Sequence, residues 1–250
     1  MLFLFEEKPL EIEQKVLIPS LTFNIEDNEH MAIVGVNGIG KTTLLNEIHF
    51  NENIDTAMME QDLKAFENLN VMQFIMLAYP ELSRLRENLS ELDYLNRFIE
   101  LDGYDIEQNI IIEGKKLGLT EGHFDQLIST LSGGEQTKIS FLKVKLDKAS
   151  LLLIDEPTNH MDQEMKVWLT KAFKQEQRAI LFVSHDKTFL NETPDSILEL
   201  NKNGATKYLG QLGHYRQQKE IEYETVKQQY ERQEKEQQAI EETIKRYKEW

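Results

Sequence analysis

Eight residues near the start of the chain have the types and spacing to hold a polyphosphate: Gly35-Val36-Asn37-Gly38-Ile39-Gly40-Lys41-Thr42. Glycines let backbone N–H groups turn inward around phosphate oxygens. A helix starting at the end of the loop, with Thr43 in its first turn, adds favourable partial charge. Lys41 is spaced to reach the β- and γ-phosphates, and the Thr42 hydroxyl suits a magnesium ion. A second stretch, Leu151-Leu152-Leu153-Ile154-Asp155-Glu156, is an apolar strand ending in two carboxylates. In a parallel sheet, the carboxyl ends of strands face the ligand crevice. There Asp155 can hold a metal's ligand shell, and Glu156 can orient or deprotonate an attacking water. The plainer reading of the two acids is a cap on the next helix. A third stretch, Leu131-Ser132-Gly133-Gly134-Glu135, offers a hydroxyl and exposed backbone N–H groups at a helix start. That is another anion-binding end, or an ordinary glycine turn with an N-cap.

These groups need elements to position them. Val16–Ile18 and Leu21–Ile25 read as two β-rich segments. A turn at Glu26–Glu29 follows, then a buried strand at Met31–Val34 that delivers the chain to Gly35. Thr42–His49 reads as the helix behind the glycine loop. Residues 70–118 are mostly helical, with Leu82, Leu85, Leu89, Leu92 and Leu95 at three- and four-residue steps until Gly103 interrupts them. That pattern predicts a helical hairpin whose stripe serves packing. From residue 131 the pattern returns to strands and helices in alternation: strands at Leu151–Ile154, Ile180–Ser184 and Ile197–Leu200, with a helix near Glu164–Glu176. Such alternation implies a largely parallel sheet covered on both faces. Residues 217–250 contain no Gly or Pro and are dense in Glu, Gln, Lys and Arg. They read as one long solvated helix, and no helix-ending signal precedes Trp250.

The bulk properties narrow the classes. The chain has 250 residues, with 40% hydrophobic and 29% charged. It has no cysteine, which excludes a disulfide framework, a thiolate zinc site and a thiol nucleophile and fits a reducing cytosol. The N-terminus lacks the basic and long apolar regions of a signal peptide. The apolar runs are too short to span a bilayer, so a transport role would need a separate membrane subunit. A net charge of −16 argues against broad contact with nucleic acid. Residues 211–250 carry 8 basic and 9 acidic side chains, so the acidity lies almost wholly before them.

The order of the motifs resembles the ATP-binding cassette superfamily. A Walker A loop lies at 35–42, and Gln61 follows strand-like Ala57-Met58-Met59-Glu60. The signature is at 131–135, Walker B at 151–156, and Ser184-His185-Asp186 comes last. The resemblance implies ATP and Mg²⁺ as ligands, with Thr42, Gln61 and Asp155 near the metal. It implies Glu156, His185 and Gln61 as the catalytic group. Gly35, Asn37, Gly38, Gly40, Lys41, Thr42 and Thr43 would hold phosphate, and Ser132, Gly133 and Gly134 would meet the nucleotide of a second cassette. Asp162 would be the D-loop aspartate. The fold implied is α/β: a P-loop NTPase of the ABC type with a mixed sheet core, a helical subdomain at about 66–145 bearing a short arm, and a long C-terminal helix.

Within the superfamily three stretches resemble the ABC-F class of translation and ribosome-protection factors. They are Asp155-Glu156-Pro157-Thr158-Asn159-His160-Met161-Asp162, Ser184-His185-Asp186-Lys187-Thr188-Phe189-Leu190, and Tyr208-Leu209-Gly210-Gln211-Leu212-Gly213-His214-Tyr215. This implies a cytoplasmic protein acting on the ribosome and tRNA, with a cassette over 1–215 and an incomplete interdomain linker over 216–250. The sequence does not decide between a translation factor and an antibiotic-resistance protein. Leu212 and Gly213 depart from the class's Tyr and Ser. No aromatic stands at the expected adenine-stacking position, since Phe3 and Phe5 come too early, so base specificity is expected to be loose. The alternatives are the ATPase subunit of a membrane transporter, disfavoured by Thr158-Asn159-His160 and the charged tail, and a non-catalytic ATP switch, disfavoured by Glu156 and His185.

Overall fold

The computed structural model describes residues 1–12, 15–159 and 161–248, with side chains described as far as Gln237. His160 of the acidic-strand motif and Trp250 lie outside the described residues. At the centre is a six-stranded sheet of β3 (His30–Val34), β4 (Thr56–Met58), β5 (Leu151–Asp155), β6 (Ala179–Val183), β7 (Ser196–Asn201) and β8 (Gly204–Leu209). Its spatial order is β4-β5-β6-β3-β7-β8. All neighbours run parallel except β7 and β8, which form an antiparallel hairpin at one edge. Every residue of β5 and β6 is buried. That explains why their sequences are continuously apolar rather than alternating: both faces of the inner strands are covered.

The two-residue period of a strand divides the core in two. Leu152, Ile154, Ile180, Phe182 and Ile197 face one layer of helices. That layer holds α2 (Val71–Met76), α3 (Pro80–Arg86), α4 (Leu92–Glu100), α5 (Gly103–Lys116), α6 (Gly133–Leu146), α7 (Gln163–Gln175) and α8 (Lys187–Glu192). Leu151, Leu153, Leu181, Val183 and Leu198 face the other side, covered by α1 (Lys41–His49) and an antiparallel pair, β1 (Phe3–Ile12) and β2 (Lys15–Ile25). Phe173, Phe182 and Phe189 meet edge to face at 5.0–5.6 Å between ring centroids. Each such ring buried contributes about 1.5–3 kcal/mol and fixes α7 and α8 behind β6.

The β-rich segments at 16–18 and 21–25 form one strand before the Glu26–Glu29 turn, whereas the helical region and the long helix differ from expectation. Pro19 is accommodated because the pairing with β1 is irregular there, stepping from Leu10↔Ile18 to Lys8↔Leu21. The helical region is four short helices, because Pro80 starts α3 at its first position and a turn separates α3 from α4. The long helix, α9, runs Leu212–Lys248 and so begins before residue 217. Leu212 is buried at its foot, and the Tyr215 hydroxyl donates to Glu199 at 2.9 Å. Farther along, Ile221, Tyr223, Val226 and Tyr230 are exposed. Among the described residues no helix is long and apolar enough to cross a membrane.

Candidate active site

The glycine loop leaves β3 and re-enters the fold as α1. Gly40 has φ +108°, a conformation glycine adopts readily and other residues do not. A Cβ there would stand 2.8 Å from a Leu10 methyl and 2.9 Å from one of Leu17, so the N-terminal hairpin presses directly on the loop. No side chain caps the N-terminus of α1, which leaves its first backbone N–H groups available to an anion. The Lys41 ammonium donates to Gly35 O at 3.0 Å and Val36 O at 3.4 Å. It thus lies across the loop's own carbonyls.

The end of β5 meets this loop. The Thr42 hydroxyl donates to Asp155 Oδ2 at 2.6 Å. Asp155 is 5% exposed, and its other oxygen, Oδ1, is buried with no hydrogen-bond partner. An unpaired buried carboxylate oxygen is costly unless a cation completes it. Hydroxyl, carboxylate and amide oxygens are the hard donors that suit Mg²⁺. Among the described residues no cluster of three or more His, Cys, Asp or Glu could hold a metal alone. One hydroxyl and one carboxylate would leave most of a six-coordinate shell to other oxygen donors, and Mg²⁺ commonly fills such a shell with water and phosphate. Gln61 follows β4 and donates through Nε2 to Asp155 O at 2.8 Å.

Glu156 extends the strand by one bond, its N–H donating to Val183 O at 2.9 Å. Its φ is then +46°, a left-handed conformation costing a non-glycine residue about 1–2 kcal/mol. The strain turns the side chain to His185. Oε2 accepts from the His185 backbone N–H at 3.2 Å. His185 Nε2 stands 3.2 Å from Oε1, within ion-pair reach, while Oε1 makes no hydrogen bond. Burial pushes the Glu156 carboxyl above the usual carboxylate range, and His185 pulls it partly back. A carboxylate with a raised pKa is a better proton acceptor, as base catalysis requires. Thr158 and Ser184 share a buried hydroxyl–hydroxyl bond of 3.0 Å, which ties the turn after Glu156 to the strand end before His185.

These residues line one open cleft of about 350 Å³: Asn37, Gly38, Lys41, Thr42, Gln61, Asp155, Glu156, Asn159, Val183 and His185. Gly35, Gly40 and Thr43 shape the loop and first turn without lining the cleft. Asn159 is an addition; the motif at 155–162 contains it, but nothing in its residue type marks it as facing the cleft. Ser132 and Gly134 stand outside the cleft, and Gly133 lines a neighbouring space of about 430 Å³ with Gln61 and Glu156. Ser132 caps α6 in a reciprocal box with Glu135, accepting from Glu135 N at 3.4 Å and donating to Oε2 at 2.7 Å. Nothing lies within 4 Å of where a Cβ at Gly133 would be. Asp162 caps α7, accepting from Met165 N at 2.8 Å.

The fold is that of an ABC-type ATPase cassette. Residues 18–159 match the family model described as ABC transporter, and the chain belongs to that family of ATP-binding proteins. It is 32% identical over 221 residues to the putative ATP-binding protein YdiF of Bacillus subtilis, covering 87% of this chain and 33% of that one. It is 31% identical to the ribosome protection protein VmlR of the same organism, covering 83% and 36%, and 26% identical to ABC transporter F family member 5 of Arabidopsis thaliana, covering 80% and 34%. The chain spans about a third to a half of the length of the curated relatives it matches. Among solved structures, a nucleotide-free ATP-binding cassette from an ABC transporter superposes with TM-score 0.63 at 14% identity, over 83% of this chain and 91% of that one. A dimeric cassette in a post-hydrolysis state bound to ADP and Pi superposes with TM-score 0.58 at 16% identity, over 82% and 97%.

Proposed function

We propose that this chain is an ABC-F-type cassette that hydrolyses Mg-ATP only when a second cassette completes its site, and that it acts on the ribosome in the cytoplasm. One observation carries the catalytic half. Lys41, Thr42, Gln61, Asp155, Glu156 and His185 converge on one cleft, while Ser132 and Gly134, the other anion-binding end, stand outside it. A single triphosphate in the cleft leaves the second end unused, so two copies of the cassette facing each other would satisfy both. The dimeric form of the structural neighbour bound to ADP and Pi supports that arrangement.

In this reading the glycine loop and the start of α1 bind the phosphates, with Lys41 leaving Gly35 and Val36 to contact them. Thr42 and Asp155 hold Mg²⁺, with Gln61 beside it; the ion, when bound, neutralises phosphate charge. Glu156 orients the attacking water and accepts its proton, and His185, beside Glu156, contacts the γ-phosphate. Electrostatic placement does most of the work in phosphoryl transfer. The ribosomal half rests on the likeness to the ribosome protection protein and to the F family member, and on residues 155–162 and 184–190. Residues 216–250 then belong to a linker between two cassettes.

Glu156→Gln tests the site. It keeps the shape and removes the base, so kcat should fall by about a hundredfold or more. Binding of a fluorescent ATP analogue should persist, and dimers should accumulate with ATP. Equal hydrolysis by the variant would remove Glu156 from the mechanism.

A further inference from the structure

Residues 59–61 fasten two parts of the molecule within three positions. Met59 N donates to Leu153 O at 2.9 Å and Gln61 Nε2 to Asp155 O at 2.8 Å, so both hold to β5. Glu60, between them, turns to α6. Its carbonyl accepts from the Ser140 hydroxyl at 2.8 Å, and Ser140 is 1% exposed. Its carboxylate pairs with the Lys143 ammonium. That ammonium also lies 5.0 Å from the Phe74 ring centroid and 5.9 Å from that of Phe66. The pair is largely out of water, with side chains 25% and 16% exposed, so solvent screens it less than a surface pair. Glu60 Oε2 is buried without a partner. Lys143 is thus the only cation paired with this carboxylate among the described residues. Neither residue enters the chemistry proposed above.

The lever is α6. Lys143 lies about 16 Å along the helix from Ser132, at 1.5 Å per residue. A rotation of α6 about its held end moves the Ser132–Gly134 turn. We propose that Glu60 and Lys143 are positioning residues: the pair converts the seating of Gln61 at Asp155 into the placement of the turn at 132–134. This rests on the reading that the turn meets a second cassette's nucleotide. The Ser140 bond goes to a backbone carbonyl, so the charge pair can be cut while the rest of the joint stays.

The absence of cysteine makes the test direct. Gln108 on α5 and Asn203 between β7 and β8 are exposed. Gln108→Cys with Asn203→Cys takes two nitroxide labels, and pulsed electron resonance reads the distance between the helical layer and the sheet. In the full chain with Mg-ATP, the labelled parent and Lys143→Arg should shift that distance alike, because arginine keeps the charge over the rings. Lys143→Met and Glu60→Gln should bind a fluorescent ATP analogue within about twofold of the parent and keep KM, yet lose the shift and about tenfold in kcat. An unchanged shift and kcat in both variants would overturn the positioning role. Loss of nucleotide binding in the labelled parent would overturn the ATP-site reading itself, and the role with it.

Discussion

The reactive residues divide by what holds them. Asp155 is set by a strand, Lys41 and Thr42 by the first turn of a helix, and Glu156 by a strained turn. Among the described residues the N-terminal hairpin shows no comparable device for a base. No residue from 6 to 22 is aromatic. Phe3 and Phe5 are 7% and 1% exposed, and Phe5 stacks on Phe23 at 5.5 Å inside the hairpin. The hairpin side chains that press on Gly40 are the aliphatic Leu10 and Leu17. Aliphatic contact discriminates weakly between planar bases, whereas a hydrogen-bonding reader can reject an analogue by many orders of magnitude. GTP should therefore be hydrolysed with kcat/KM within about fivefold of ATP. Steady-state kinetics with both nucleotides decide this, and a preference for ATP above about a hundredfold would mean that a reader exists. The phosphate, metal and base candidates were legible in residue type and spacing, because each needs a particular functional group at a particular loop position. Glu60 and Lys143 were not, since an ion pair between residues 83 apart leaves no periodicity to read.

At the scale of elements, inner strands and long helices announce themselves and edges do not. β5 and β6 are buried along their whole length, so their composition is decisive. β1 and β8 carry alternating or mixed burial and were missed, because a half-exposed edge strand resembles a polar loop. The helical layer was read as helical but not divided correctly. Gly103 marks its sharpest constraint. A Cβ there would meet the Phe98 ring at 2.4–2.5 Å, and Phe98 is fully buried. The interruption in the leucine pattern is therefore a packing requirement: α5 starts where only a hydrogen fits under the ring. Gly103→Ala should destabilise the chain by about 1–3 kcal/mol, the usual cost of overpacking, despite alanine's better helix propensity. Adding Phe98→Leu should recover part of that loss, since the smaller side chain gives way. Urea unfolding of the two single variants and the double variant measures this as a coupling energy. Purely additive losses would exclude the clash as the cause.

At the scale of the whole molecule, charge and shape pull against each other. The net charge is −16, and such a field repels the phosphate backbone of RNA. A ribosomal role then requires contact through a part where the field is weak. α9 is that part. Residues 211–250 are close to neutral, and beyond its foot the helix is exposed as far as Gln237, with Tyr223, Val226 and Tyr230 at three- and four-residue steps along one face. Contact through this helix would rest on few phosphates and on apolar side chains, so its dependence on salt should be shallow. It should also depend on nucleotide, because the helix is anchored to the cassette. Leu212 is buried at its foot, and Tyr215 and Lys219 bind Glu199 of β7, so movement of the cassette carries the helix with it. The full-length protein carrying Glu156→Gln should co-sediment with ribosomes when ATP is present and be released when it is absent. Raising the salt from about 50 to 200 mM should weaken binding by less than the thousandfold that six or more phosphate contacts would cost. Sedimentation that ignores ATP, or that never occurs, would count against the ribosomal reading while leaving the ATP site standing. A steep loss with salt would instead place the contact on lysines and arginines elsewhere on the surface.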